Sequence, residues 1–229
     1  MSQDELDTST GVEEVIDVDD PEPRWPAFVA VIAVGGLYTA LPDALTMGPR
    51  WLFPSAVLAL LVPTVVAHHA GKHRVNDIFG FAVDAVLTIG LIVSVILLIG
   101  ALPTHKQAPP ELLLSAAALW ATNILVFALW YWRLDAGGPH QRDKHGGYPC
   151  GAFLFPQTTM SEQALETAGQ EDWSPNFVDY LFLSFNASTA FSPTDAPVLA
   201  RWAKVLMMLQ SLLSLLIIAL LAARAGNIL

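Results

Sequence analysis

Apolar residues along the chain fall into long blocks that short polar stretches separate. A helix needs roughly 20 mostly apolar residues to cross about 30 Å of hydrocarbon. The blocks predicted to be membrane-spanning helices are approximately 25–41, 51–67, 78–102, 111–132 and 199–224. A further block, 177–191, is shorter and carries several polar side chains, so we expect a re-entrant helix there. The pattern predicts an all-α integral membrane protein with about five transmembrane helices and one short re-entrant segment.

The polar segments divide the chain into three parts. Residues 1–24 are acidic and poor in aromatic residues, so they predict a disordered tail that has too little apolar surface to offset its ordering entropy. Residues 25–110 predict three N-terminal spans. Residues 111–229 predict a second module with an outer helix, a long polar section, a short helix with its turn, and an inner helix. The polar section, 133–176, is the one sizeable region expected outside the membrane.

Composition and charge support the same class of protein. Hydrophobic residues make up 54% of the chain, charged residues 14%, and mean hydropathy is +0.50, a profile typical of membrane proteins. Residues 1–24 hold nine acidic residues against Arg24, so the tail carries −8 of the formal charge of −10. The remainder is nearly neutral and offers no basic surface for nucleic acid. We therefore expect the lipid bilayer, and not nucleic acid, as the main partner.

The sequence offers little chemistry for a metal, a cofactor or catalysis. His68, His69 and His73 lie close together, but no HExxH pattern or second ligand cluster accompanies them. The single cysteine, Cys150, excludes an internal disulfide and a multi-cysteine metal site. No GxSxG elbow, Walker A loop or GxGxxG turn is present. We expect no metal, no cofactor and no enzymatic activity.

The C-terminal third resembles a two-helix potassium-channel pore domain in the order of its elements. The residues that carry this resemblance are 179–185, 189–195 and 197–201. Set against the filter signature TTVGYGD, residues 189–195 read TAFSPTD and keep only Thr189 and Asp195. The filter glycines are missing and Pro193 fixes φ near −65°, so a standard row of filter carbonyls is not built. The resemblance implies a pore-like fold without potassium selectivity.

Residues 111–229 are also similar to a bacterial family of multi-spanning membrane proteins of unknown function, which share the pore-like C-terminus and lack the glycine filter. The matching positions are Trp130–Arg133, Asp135, Gly137, Gly138, Leu154–Pro156, Asp179–Leu181, Ser184, Phe185, Thr189, Phe191 and Asp195. This resemblance implies a multi-pass protein of the bacterial cell (inner) membrane. It implies no established activity.

Polar residues near the short helix are the first site candidates. They are Asn186, Ser188, Thr189, Phe191, Ser192, Thr194 and Asp195, with the aromatic Phe191 included as part of the turn. One hypothesis is that they line a re-entrant turn facing a water-filled cavity, because irregular backbone at membrane depth must be buried or wetted. The alternative is that they pack, since small hydroxyl residues also join helices by hydrogen bonds.

Four polar residues inside predicted spans are the second set of candidates: Asp84, Asn123, Gln210 and Ser214. A carboxylate inside a membrane is costly, so Asp84 is either a proton or cation relay or a partner of Arg74 or of a neighbouring helix. Gln210 and Ser214 share a helical face and form either a polar seam toward a pore axis or a contact between helices. Asn123 has the same two interpretations.

A single two-helix module encloses no pore, so the channel resemblance predicts a homo-oligomer, a tetramer by analogy. The leading hypothesis is an ion-channel-like pore without potassium selectivity. The alternative is a non-conducting scaffold or sensor whose acidic tail or 133–176 section binds an unknown protein partner. The orientation stays open, because the positive-inside rule places the N-terminus in the cytoplasm and the channel resemblance places it outside.

Overall fold

The computed structural model describes residues 22–101, 109–144, 148, 151–171, 173–189 and 196–225. These residues are helical and contain no β-strand, only an isolated bridge between Phe153 and Val198. Their α-helices are α1 (Trp25–Thr39), α2 (Leu52–His69), α3 (His73–Ala101), α4 (Pro109–Leu134), α5 (Pro139–Lys144), α6 (Glu162–Ala168), α7 (Phe177–Thr189) and α8 (Arg201–Ala225). Short 3-10 turns lie at Asp43–Leu45, Asp135–Gly137 and Pro156–Thr159. The all-α fold class is confirmed.

Four of the predicted spans form helices that are long and apolar enough to cross a membrane. The segments that meet this requirement are Leu52–His69, His73–Ala101, Pro110–Lys144 and Arg201–Ala223. α1 is apolar but has 15 residues, which correspond to about 22 Å of helix. The described chain therefore has the helix lengths and composition of a multi-pass membrane protein.

Helix α4 is the centre of the fold. It packs against α1 and α3 on one side and against α7 and α8 on the other. The hydrophobic core is continuous across residue 110, where the sequence suggested a boundary, and it includes Val34, Leu87, Leu129 and Ile217. α2 and α8 lie at the outside, and each leaves an apolar face exposed. These faces are the kind of surface that lipid covers.

The polar linker between α2 and α3 is shorter than the sequence suggests. Residues 68–77 were predicted to separate two spans, but α2 continues to His69 and α3 begins at His73. Gly71 has φ +65°, a conformation that suits glycine, and makes the turn. The amide of Lys72 donates to the carbonyl of Ala67 over 2.9 Å and closes the end of α2. His68 and His69 therefore lie on a different helix from His73.

The described part of the 133–176 section is packed against the helices and is not a loose polar loop. Phe153 is fully buried, and its ring centroid lies 5.3 Å from that of Tyr131 and 6.2 Å from that of Tyr180. Phe155 lies 5.5 Å from Tyr180 in an edge-to-face contact. These aromatic residues give the section a hydrophobic surface, although its average composition is polar. The section is therefore anchored where α4 ends and α7 begins.

Candidate functional site

Helix α7 is a half-length helix whose start lies beside the end of α4. Asn176 caps it: its side chain accepts from the amide of Val178, and Asp179 accepts from the amide of Asn176, each over 2.8 Å. Such reciprocal capping fixes a helix start. The ring centroids of Phe177 and Trp132 lie 6.1 Å apart. The 13 residues of α7 correspond to about 20 Å, which is less than the hydrocarbon thickness.

The backbone segments before and after α7 meet each other. The amide of Leu154 donates to the carbonyl of Pro197 over 2.9 Å. The amide of Leu199 donates to the carbonyl of Ala152 over 2.8 Å. Phe153, between the acceptor Ala152 and the donor Leu154, packs on Tyr131 near the end of α4. Residues 152–154, which precede α6 and α7, thus lie beside residues 197–199, which follow α7. α8 begins from that position at Arg201.

Gln210 joins three helices through its amide. The residue is fully buried, and its Oε1 accepts from the hydroxyl of Tyr131 on α4 over 2.5 Å. Its Nε2 lies 2.7 Å from the Ser184 hydroxyl and 2.8 Å from the Ser188 hydroxyl, both on α7. Ser184 in turn donates to the carbonyl of Ile124 over 2.7 Å. These bonds fix the position of α7 along α4 and α8.

Asn123 and Ser214 extend this network, which we define as the α7 network: Asn123, Tyr131, Ser184, Ser188, Gln210 and Ser214. Asn123 donates to the backbone carbonyl of Gln210 over 3.3 Å. Ser214 donates to the carbonyl of Ser188 over 2.7 Å. All six residues are buried. The sequence pointed to Asn123, Ser188, Gln210 and Ser214 as polar candidates, whereas Tyr131 and Ser184 entered only as positions of the family resemblance, without a role.

The predicted turn residues divide between two faces of α7. Ser188 points into the α7 network, whereas Thr189 is exposed and donates to the carbonyl of Phe185 over 2.9 Å. Asn186 lines a cavity of about 160 Å³ together with Asp179 and Gln157. The remaining turn candidates, Phe191, Ser192, Thr194 and Asp195, lie outside the described residues.

Asp84 forms an ion pair inside the helix bundle. The carboxylate is fully buried, and its Oδ2 accepts from Nε of Arg133 on α4 over 2.5 Å. Of the two structural partners considered for Asp84, Arg74 and a neighbouring helix, the neighbouring helix supplies the cation. The Arg133 guanidinium also lies 5.7 Å from the centroid of Phe81 and 5.5 Å from that of Trp132. Two aromatic faces and one carboxylate thus stabilise its charge.

Gly80 creates the space for this guanidinium, because a Cβ at position 80 would overlap the terminal nitrogens of Arg133. We expect Gly80→Ala to weaken the Asp84–Arg133 pair and lower the free energy of unfolding by about 1–2 kcal/mol, as overpacking does. The matched control is Gly100→Ala on the same helix, where a Cβ meets nothing within 4 Å. It should leave stability unchanged or slightly raised. Unfolding in detergent measures both, and equal effects would contradict the steric explanation.

Asp135 is a second buried carboxylate, which the sequence suggested only as part of a family resemblance. Its oxygens accept from the hydroxyl of Tyr148 over 2.5 Å, from the hydroxyl of Tyr180 over 2.7 Å and from the amide of Ala152 over 2.5 Å. A Cβ on Gly151 would overlap the carboxylate, so the chain passes close to it. Asp135 thereby joins the end of α4, the start of α7 and the described chain around residue 152.

The last residues of the predicted acidic tail contact this end of the bundle. Arg142 is buried and donates from Nη2 to the Glu22 carboxylate over 2.8 Å, while the indole of Trp132 donates to the same carboxylate. Burial raises the pKa of Glu22, and the charge of Arg142 opposes that shift. Arg24 pairs with Asp143 on α5. Residues 1–21 lie outside the described residues.

The histidines do not assemble a metal site in the part of the chain that the structure describes. No group of three or more His, Cys, Asp or Glu residues there has a metal-binding arrangement. His73 stacks on His140, with ring centroids 3.5 Å apart. His68 and His69 lie on α2 with ring centroids 5.6 Å apart. His145 and Cys150 lie outside the described residues.

The fold and the site define a class of protein: over the residues that the structure describes, a helical bundle with four helices long and apolar enough to span a membrane and a half-length helix fixed by a buried polar network. No protein-family model, curated protein or solved structure matches the chain. The function is therefore inferred from the geometry of the site.

Proposed function

We propose that this protein is a pore-like membrane protein in which α4, α7 and α8 correspond to the outer helix, the pore helix and the inner helix of a channel module. The observation that carries the proposal is the path of the chain around α7. After residue 154 the chain forms the 3-10 turn Pro156–Thr159 and α6, then the half-length helix α7, and residues 197–199 beyond α7 lie beside residues 152–154. A path of this kind is expected of a re-entrant segment, which enters and leaves the membrane on one side.

The rigid support of α7 favours this function. A pore needs its narrow part held at a fixed depth, and the α7 network joins the helix to both flanking helices through buried hydrogen bonds. The residues that follow Thr189 in the sequence include Ser192, Thr194 and Asp195, whose side chains offer oxygen ligands for a cation. We infer a cation path along these residues, without selectivity for potassium.

The number of spans and the assembly belong to the same proposal. α1 packs along α4, and we propose that α1 with the apolar residues that follow it forms a fifth, short span. One copy of α4, α7 and α8 encloses no channel, so we propose a homo-oligomer, a tetramer by analogy, around α8. In support, α8 keeps Gln210 and Ser214 inside the α7 network and exposes Met208 and Leu212 on another face. That face is available to lipid or to a second copy.

The distribution of cations suggests an orientation. Lys72, Arg74 and Lys144 are exposed at the end of the bundle where α2 stops and α3 begins. Arg50 lies at the opposite end, before α2. By the positive-inside rule we propose that the first end faces the cytoplasm of a bacterial inner membrane. The re-entrant segment would then enter from the cytoplasmic side, opposite to a potassium-channel pore loop.

Ion flux into liposomes tests this function. Purified protein is reconstituted, and flux is measured under gradients of potassium, sodium and protons for wild type, Thr189→Ala and Asp195→Asn. We expect flux with wild type, no preference for potassium, and reduced flux or altered ion preference in at least one variant. Asp43→Asn is the matched carboxylate control, because Asp43 is an exposed residue far from α7. Its flux should equal that of wild type.

A non-conducting scaffold or sensor is the second candidate. The observation that favours it is that the polar residues of α4 and α8 in the α7 network find hydrogen-bond partners within a single chain. Polar residues committed in this way act as contacts between helices. Folded, inserted protein that gives no flux above empty liposomes would favour this function, with the acidic tail or the 133–176 section as the site for a protein partner. Neither candidate is an enzyme.

A further inference from the structure

A small cavity with charged groups in its lining lies among α1 to α5, away from α7. It measures about 30 Å³ and reaches the Arg133 guanidinium, which leaves room for about two water molecules. Its lining comes from the chain before α1 and from α1, α2, α3, α4 and α5, and includes Ala27, Thr64, Gly80, Val83 and Leu129. The charged and titratable groups that face it are Arg24, His68, Asp77 and Arg133. We name this cavity the Arg133 crevice.

The ion pair at the inner end of the crevice is only partly satisfied by the described residues. Among the described residues, the Asp84 carboxylate is the one hydrogen-bond acceptor for the Arg133 guanidinium, and it accepts only from Nε. The other carboxylate oxygen, Oδ1, is buried without a hydrogen-bond partner among them. Buried charged groups with unused donors and acceptors are costly unless water completes their bonding. The chemistry of the pair therefore favours a hydrated crevice.

The position of Asp84 gives this hydration a functional meaning. Asp84 lies 11 residues after the start of α3 at His73, which corresponds to about 16 Å along the helix axis. The crevice runs from Arg24, His68 and Asp77, at the helix ends, to the helical turn that precedes Asp84. Water in it would reach Arg133, the ion-pair partner of Asp84; the Asp84 carboxylate lies behind this lining and is fully buried.

We propose that the Arg133 crevice is an aqueous access path and that Asp84 is a proton-binding site, separate from α7 and the residues that follow it in the sequence. A proton delivered through the crevice adds to the Asp84 carboxylate, which becomes a neutral carboxylic acid and releases its ionic bond to Arg133. The guanidinium remains held by the faces of Phe81 and Trp132. Loss of the proton to the same water restores the pair. The ligand is the proton, and the site accounts for a carboxylate that neither proposed function uses.

The first test is the access path. In a Cys150→Ser background, Thr64→Cys places a thiol in the crevice wall, and Ser94→Cys places one at a buried position of α3 outside the crevice. Thr64 is 5% exposed and Ser94 is 1% exposed. In native membranes we expect a small water-soluble thiosulfonate to label Thr64→Cys at least tenfold faster than Ser94→Cys. Equal, slow labelling of both would overturn the access path.

The second test is proton binding. Infrared difference spectra of the reconstituted protein are recorded between about pH 4 and pH 9, the range over which perturbed carboxyl groups titrate. We expect a protonated-carboxyl band that Asp84→Asn abolishes and that Asp77→Asn, at the crevice rim, preserves. A band unchanged in Asp84→Asn, no pH-dependent band at all, or a band that follows sodium concentration at constant pH would each overturn the proposal. Because neither test measures flux, the result is independent of the pore.

Discussion

Replacing Asp135 with alanine is expected to lower the free energy of unfolding by about 3–5 kcal/mol, because three donors lose their shared carboxylate acceptor together. These donors are the buried Tyr180 hydroxyl, the buried Ala152 amide and the half-buried Tyr148 hydroxyl. Tyr180 lies on α7, whereas Tyr148 and Ala152 belong to the 133–176 section, so the packing of that section against α4 and α7 should weaken as well. Reversible unfolding in mixed detergent micelles measures the change.

Two further variants separate the hydrogen bonds of Asp135 from its volume. Asp135→Asn keeps the shape and one acceptor oxygen, and the tyrosine hydroxyls are able to accept from its amide group. We expect it to lose about 1–2 kcal/mol, less than alanine. Asp43→Asn is the surface control, since Asp43 is 80% exposed and pairs only with Arg50, and it should have little effect. An alanine variant as stable as wild type would show that the Asp135 contacts do not stabilise the fold.

The helical framework could be predicted from the sequence because the bilayer constrains both the length and the polarity of a spanning helix. The apolar blocks predicted at 51–67, 78–102 and 111–132 correspond to α2, α3 and α4 within a few residues, apart from the earlier start of α3. That start was missed because His73, Arg74 and Asp77 read as a polar linker. Polar residues continue a helix beyond the hydrocarbon without penalty, so hydropathy alone locates the membrane and not the end of a helix.

The hydrogen-bond and ion-pair partners of the polar residues could not be predicted from the sequence in the same way. Asp84 stood out because a carboxylate inside an apolar block is rare, but its cation, Arg133, lies 49 residues away and is chosen by how α3 packs on α4. Gly80 gave no signal, since its role depends on a side chain from another helix. The Glu22–Arg142 contact joins residues 120 apart in the sequence, and Glu22 belongs to the segment predicted as a disordered tail. The local pattern of polar and apolar residues does not encode which side chains of different helices come into contact.

Gln210→Leu is expected to release α7 from its neighbours. The substitution keeps the approximate volume of the side chain but removes the acceptor for the hydroxyl of Tyr131 and the donor to Ser184 and Ser188. Hydrogen bonds between membrane helices contribute about 0.6–1.7 kcal/mol each, so the free energy of unfolding should fall by about 2–3 kcal/mol. Backbone amide exchange should quicken across α7 more than across α3.

The controls for Gln210→Leu lie on the same helix. Ser211→Ala removes one peripheral hydrogen bond, from Ser211 to the carbonyl of Ala187, and should cost about 0.6 kcal/mol. Leu212→Ala trims a side chain that is 62% exposed and should leave the exchange of α7 unchanged. If α7 is a pore helix, Gln210→Leu should also change ion flux in liposomes, because α7 is no longer held in place against α4 and α8. Faster α7 exchange with unaltered flux would separate the two roles: the network would still hold the helix, and the helix would not control a pore.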